Sequence, residues 1–190
     1  MSTAEWSWFS AREGELRGMS PEAASEAITS GLAAIDERMG AEVSDASGTR
    51  TVVITAGGEV DVFGAVRRTV ESAPSVPGWT FVAFRPARGF EFQVDAGGMV
   101  FEAKALSFMP LRPDEAPSQP AIRLLVPNPK LEAWAEIGLQ IIEAGVGEEL
   151  AARITYLEIG TRDEDSHDVY GLESLGGYLE RNTDPADGRM

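Results

Sequence analysis

Apolar residues recur along this chain at two spacings, and the alternation between them lays out its elements. Residues 51–56 read T-V-V-I-T-A, a β-branched run without charge, which suits a strand covered on both faces. Gly57-Gly58 breaks the run. Val62, Phe63, Val66, Val70 and Ala73 then recur at helical spacing, with Arg67, Arg68 and Glu71 between them. Pro74 stops that helix, and Pro77-Gly78 makes a turn. Residues 79–84, W-T-F-V-A-F, form a second apolar strand, closed by Pro86. Strand, helix and strand in this order predict a βαβ unit with parallel strands and a right-handed crossover.

The same reading extends to both sides of that unit. Ser20-Pro21-Glu22 is a helix start, with a capping hydroxyl, a proline suited to the first helical position and an acid at the positive end of the dipole. Ile28, Leu32, Ile35 and Met39 form one stripe, and Gly40 ends the predicted helix. Residues 44–50 read as a polar turn. After Pro86, Phe90, Phe92 and Val94 alternate with Glu91, Gln93 and Asp95, and Gly97-Gly98 is a turn signal before a second alternating run to Phe108. These residues predict a hairpin. Residues 109–120 hold four prolines and read as a surface loop. Residues 121–126, A-I-R-L-L-V, predict a strand, and Leu131, Trp134, Gly138, Ile141 and Ile142 mark a second amphipathic helix. Residues 154–159 predict the last strand, and Leu172, Leu175, Tyr178 and Leu179 a closing helix. The fold class is therefore α+β, an expanded ferredoxin-like sandwich: a mixed sheet with a βαβ unit, a hairpin and a second strand-helix-strand unit. It is expected as a single domain over residues 1–182 with a frayed tail at 183–190. No internal sequence repeat stands out.

Charge narrows the possible partners. The 190 residues hold 31 Asp and Glu against 16 Lys and Arg, a formal net charge of −15. Binding to nucleic acid depends on neutralising phosphates with basic groups, so this balance argues against nucleic acid and against an anionic membrane. It implies instead a basic protein partner, attracted mainly through the association rate. A net charge of this size also serves solubility. There is no cysteine, hence no disulfide framework and no thiol chemistry. No apolar run reaches the roughly 20 residues that span a bilayer, and no leader pattern opens the chain. These features fit a bacterial cytoplasm.

Residues that carry chemistry are few. Asp163, Glu164, Asp165, His167 and Asp168 gather carboxylates around the only histidine. Of these, Asp163, Asp165, His167 and Asp168 are candidate ligands of a divalent metal. The competing reading is a solvated acidic loop, because the spacing is not that of a Ca²⁺ loop. As a general base His167 lacks a nucleophile motif to serve. Gly57-Gly58 lies between strand and helix, where phosphate is often cradled. There is no G-x-G-x-x-G or G-K-[ST] around it, and Glu59 and Asp61 would repel an anion, so Asp61 or Gly58 reads better as a helix cap. Glu148-Glu149 reads as the acidic start of a short helix or as a site at a sheet edge. Trp6, Trp8 and Phe9 open the chain as W-S-W-F, in a strand or a first helical turn. Such residues dock onto a core or form an aromatic patch, and Trp6 and Trp8 are the candidate partner-binding residues. No cofactor is called for.

W-S-W-F at 6–9, I-T-A-G-G at 54–58, A-P at 73–74, G-W-T-F-V-A-F-R-P at 78–86 and G-E-E at 147–149 together resemble an uncharacterised bacterial family known only as a domain of unknown function. Related domains occur joined to one similar to the ribonuclease E regulator B, a ferredoxin-like protein-binding inhibitor. The resemblance covers roughly residues 6 to 159, and the A-P…W…A-F-R-P pattern is its most specific part. It implies a regulatory or binding role and carries no catalytic residues, since Trp79, Phe84 and Pro86 are structural types. A protein-interaction or regulatory module is thus the leading reading. A small carboxylate- or metal-dependent enzyme using residues 163–168 is the alternative.

Overall fold

Two helices precede the first strand. Residues 7–18 contain no β-branched side chain, and ion pairs between successive turns, Arg12 with Glu15 and Arg17 with Glu13, support a helix there, α1 (Ser7–Gly18). The W-S-W-F segment is thus the entry to a helix and not a strand. Ser20 then caps α2 (Pro21–Leu32), its Oγ accepting from the Ala23 amide at 3.3 Å. The helix ends at Leu32, seven residues before Met39. The Asp36 carboxylate accepts from the Arg38 amide at 3.0 Å, and this side-chain turn competes with further helix. The computed structural model describes residues 5–46, 48–111, 120–128, 132–162 and 167–182.

Residues 44–50 are not only a turn but the tip of a hairpin, β1 (Gly40–Ala46) with β2 (Thr49–Thr55), antiparallel from Gly40↔Thr55 to Ala46↔Thr49. Gly48, at φ 81°, supplies the left-handed residue that a tight hairpin turn needs. The chain then passes through α3 (Phe63–Glu71) to β3 (Trp79–Ala83), which pairs parallel to β2 from Arg50↔Trp79 to Ile54↔Ala83. The sheet order is β1-β2-β3. By register Ala41, Val43, Val52, Ile54 and Trp79 share one face, and all five are buried. Helix α2 packs on β1, and α3 on β2 and β3. Just past β3, Phe84 adopts φ 66°, a conformation that costs an L-residue about 1 kcal/mol or more. Its amide donates to the Ile54 carbonyl at 2.8 Å, its ring lies 4.6 Å from that of Phe63, and the Arg67 guanidinium sits 5.2 Å over it.

The second half opens with a two-stranded hairpin, β4 (Gln93–Ala96) and β5 (Met99–Glu102), turned by Gly97-Gly98 at φ 65° and 85°. The second strand of the expected hairpin does not run on to Phe108. A 3-10 turn at Ala103–Ala105 breaks it, and β6 (Ser107–Leu111) joins a different sheet. That sheet also holds β7 (Ala121–Leu125), β8 (Tyr156–Gly160) and β9 (Tyr170–Gly171), in the order β8-β7-β6-β9. Strands β7 and β8 are parallel; β6 is antiparallel to β7 and to β9. Between β7 and β8 come α4 (Ala133–Val146) and α5 (Glu148–Ala151), and α6 (Leu175–Asn182) follows β9. Phe108, Ile122, Leu124, Trp134, Ile142 and Leu175 form the centre of this half's core. Gly145 permits a close approach: a Cβ there would meet the Phe90 ring at 2.0 Å. The Arg88 and Gly89 amides bond the Ala144 and Gly145 carbonyls beside it.

The fold is α+β with mixed sheets. The described chain gathers into two compact units, Met1–Arg85 and Pro86–Met190. Each unit holds the same progression: an antiparallel pair, then helix, then a strand parallel to the second of the pair (β1-β2-α3-β3 and β6-β7-α4-β8). The residues expected to fray, 183–190, lie outside the described residues. No helix among the described residues is long and apolar enough to cross a membrane.

Candidate interaction surface

The aromatic residues at the start of the chain are held inside the first unit. Trp6 is 2 % exposed, its Nε1 donates to the Thr69 carbonyl at 3.0 Å, and its ring meets those of Phe9 and Phe81 edge-on at 5.7 and 4.8 Å. Trp8 is half-buried and stacks on Trp6 at 5.8 Å. A Cβ on Gly31 would fall 2.5 Å from the Trp8 ring, so the indole lies directly on helix α2. Trp6 therefore presents no surface to a partner, and Trp8 only part of a ring.

Trp79 sits in a polar network of this unit. Its Nε1 donates to Glu13 Oε1 at 2.6 Å, and the guanidinium groups of Arg17 and Arg50 lie 5.8 and 5.6 Å from its ring centroid. Arg17 also bonds Glu13 and donates to the Pro77 carbonyl at 2.8 Å. Arg50 bonds Asp45 and the carbonyls of Leu16 and Met19. The Trp79 indole N–H holds the Glu13 carboxyl below the usual carboxylate range, and Arg17 adds to this against partial burial. Glu15, Asp36 and Asp45 are likewise held low by hydrogen bonds from Arg12, Arg38 and Arg50. A carboxyl lowered in the folded state stabilises above its unfolded pKa, and that contribution is lost as pH falls through the folded value. Stability of the first unit is thus expected to fall on the acid side, below about pH 4, and Glu13→Gln to flatten that limb. Urea midpoints read by tryptophan fluorescence between pH 7 and pH 2.5 test this. A wild-type midpoint constant over that range would contradict it.

The other sequence candidates fall apart in space or lie outside the described residues. Asp163, Glu164 and Asp165 are not among the described residues. His167 and Asp168 are exposed, Asp168 at φ 60°. No group of three metal-capable side chains occurs among the described residues. Gly57-Gly58 forms a turn tied by the Gly57 amide to Thr55 Oγ1 at 2.9 Å. Neither Asp61 nor Gly58 caps α3, whose cap position is Val62 without a side-chain bond. Asp61 instead accepts from Arg38 Nη1 at 2.6 Å. Glu148-Glu149 does open a short helix, as one of its two readings has it, with Glu148 buried at 1 % exposure.

What sequence reasoning did not reach is how charge and strand edges are distributed. Residues 1–85 hold 7 Lys and Arg against 12 Asp and Glu, whereas residues 86–190 hold 9 against 19, so the second unit carries −10 of the −15. Five of the seven arginines of the first unit pair with nearby carboxylates: Arg12 to Glu15, Arg17 to Glu13, Arg38 to Asp36 and Asp61, Arg50 to Asp45, Arg85 to Glu42. In the second, Lys104 meets Glu91 and Arg123 meets Glu158. Among the described residues of the second unit, the exposed large apolar side chains are Met99, Val100, Leu139, Tyr156 and Tyr170, with Tyr156 54 % exposed on the outer strand β8. Counting acids by unit needs only the boundary at Arg85, which no linker composition marks. Comparison with protein-family models, with curated proteins and with solved structures returned no match.

Proposed function

We propose that this chain is a non-catalytic protein-interaction or regulatory module of the bacterial cytoplasm whose partner presents a basic surface. The observation that supports it is the division of charge: the second unit has more than twice as many acids as basic residues. Two of its nine cations, Lys104 and Arg123, pair locally with Glu91 and Glu158. A field of one sign raises the encounter rate with an oppositely charged protein and suppresses binding to anionic partners. The resemblance of 78–86 and its companion motifs to a family joined to protein-binding domains points the same way.

The test is affinity capture from a bacterial lysate at low and at moderate salt, followed by binding measured with the purified partner. A basic protein is expected, with an association rate that drops as salt shortens the Debye length below about 8 Å. Hydrolytic turnover that disappears on replacing Asp165 or His167, with no partner captured at any salt, would overturn the reading.

A further inference from the structure

The outer strands of the two larger sheets are finished in different ways. Along β1 the outward amides of Ala41 and Val43 are taken up by α2, donating to Thr29 Oγ1 at 2.9 Å and Ser25 Oγ at 2.8 Å. Strand β9 pairs with only Ser107 and Phe108 of β6, and just beyond that reach β6 carries Pro110, which has no amide to offer. Capping side chains and proline are ways of closing an edge to further pairing.

Strand β8 has neither device. It reads Y-L-E-I-G, without proline or lysine, and among the described residues pairs on one side only, with β7. The Gly160 carbonyl accepts from the Val126 amide at 2.8 Å. Alternate residues of a strand turn their main chain the same way, so Tyr156, Glu158 and Gly160 face β7. The amides and carbonyls of Leu157 and Ile159 then face outward. The one charge on the strand is already matched, Arg123 Nη2 donating to Glu158 Oε2 at 3.2 Å. Tyr156, at the start of the strand, offers an exposed amphipathic ring.

We propose that the open edge of β8 receives an extended basic segment of a partner protein by strand addition. The outward groups of Leu157 and Ile159 supply the main-chain bonds, and Tyr156 is the side-chain anchor. The proposal rests on the basic-partner reading above and gives it a location. Charge complementarity selects the occupant, since β8 belongs to the unit that carries −10. The edge of β3 suits such a segment less well, because its unit carries half as much excess charge.

Three hexapeptide probes test this on the ¹⁵N-labelled full chain: alternating lysine-valine, the same peptide N-methylated at the valines, and alternating glutamate-valine. The lysine peptide is expected to shift the amide signals of Leu157 and Ile159. Methylation is expected to weaken binding about tenfold, as loss of one main-chain bond of about 1.4 kcal/mol would, and Tyr156→Lys to weaken it with no change in melting temperature. The glutamate peptide is expected not to bind. Shifts confined to other residues, or equal binding of the methylated peptide, would overturn the proposal. So would self-association of the chain that Tyr156→Lys abolishes, because the occupant would then be a second copy. If none of the peptides binds while the lysate still yields a basic partner, strand addition at β8 fails and the broader function stands. Failure of both experiments removes both.

Discussion

Trp79→Ala is expected to cost the first unit about 3–5 kcal/mol, the range for truncating a buried aromatic. The ring is 7 % exposed and meets Phe9 edge-on at 5.0 Å. Its removal empties a site that the facing strand cannot fill, because β2 is fixed by pairing on both sides. It also leaves Arg17 and Arg50 without the ring between them. Trp79→Phe keeps most of the ring contact and loses only the bond to Glu13, so it is expected to cost about 1.5–3 kcal/mol, the usual value for a bond to a charged group. The Glu13 carboxyl should then titrate closer to its ordinary value. Urea denaturation of the two variants measures the pair of effects. A loss below about 1 kcal/mol for the alanine variant would mean that the strand at Trp79–Ala83 is misplaced.

Trp134→Ala is expected to be as damaging to the second unit, again about 3–5 kcal/mol. Trp134 is 1 % exposed in the first turn of α4, its ring lies 5.6 Å from that of Phe101, and its Nε1 donates to the Asn128 carbonyl at 2.9 Å. The indole joins the β4-β5 hairpin to the helix over the four-stranded sheet. Hydrogen exchange is expected to accelerate first at β5 and β7, and Trp134→Phe to recover all but about 1 kcal/mol, one neutral hydrogen bond. Unchanged exchange at β5 in the alanine variant would show that the hairpin is held by other contacts.

Elements that bury a whole face were legible in the sequence. The run at 51–56 and W-T-F-V-A-F at 79–84 form the parallel pair β2 and β3, and Ser20-Pro21-Glu22 starts α2. Elements that bury one or two side chains were not. Strand β1 reads G-A-E-V-S-D-A and buries only Ala41 and Val43, so its polar residues resemble a turn. Helix α1 buries only Phe9 and Leu16, too few for a readable stripe. The break at Ala103–Ala105 was hidden because Ala103 and Ala105 carry on the alternation begun at Val100 and Phe101. Pro110 lies within β6 because β9 stops short of it, a circumstance of sheet order that local sequence does not contain. The candidate surface was the least legible part. An open edge is defined by which strand lies beside which, and no residue type announces it.

Both units are uninterrupted stretches of chain, divided at Arg85, and this bears on synthesis. A chain leaves the ribosome from its N-terminus at roughly 5–20 residues per second, and domains tend to fold as units in that order. When residue 85 has emerged, α1, α2, β1, β2, α3 and β3 are all present, and every described strand of their sheet has been made. The β1-β2 hairpin closes over a two-residue turn and forms early, whereas β3 must wait for α3 to bring it back beside β2. The nascent first half can thus finish its own pairing while the acidic half is still being made, which shortens the time during which W-T-F-V-A-F is open to neighbouring chains.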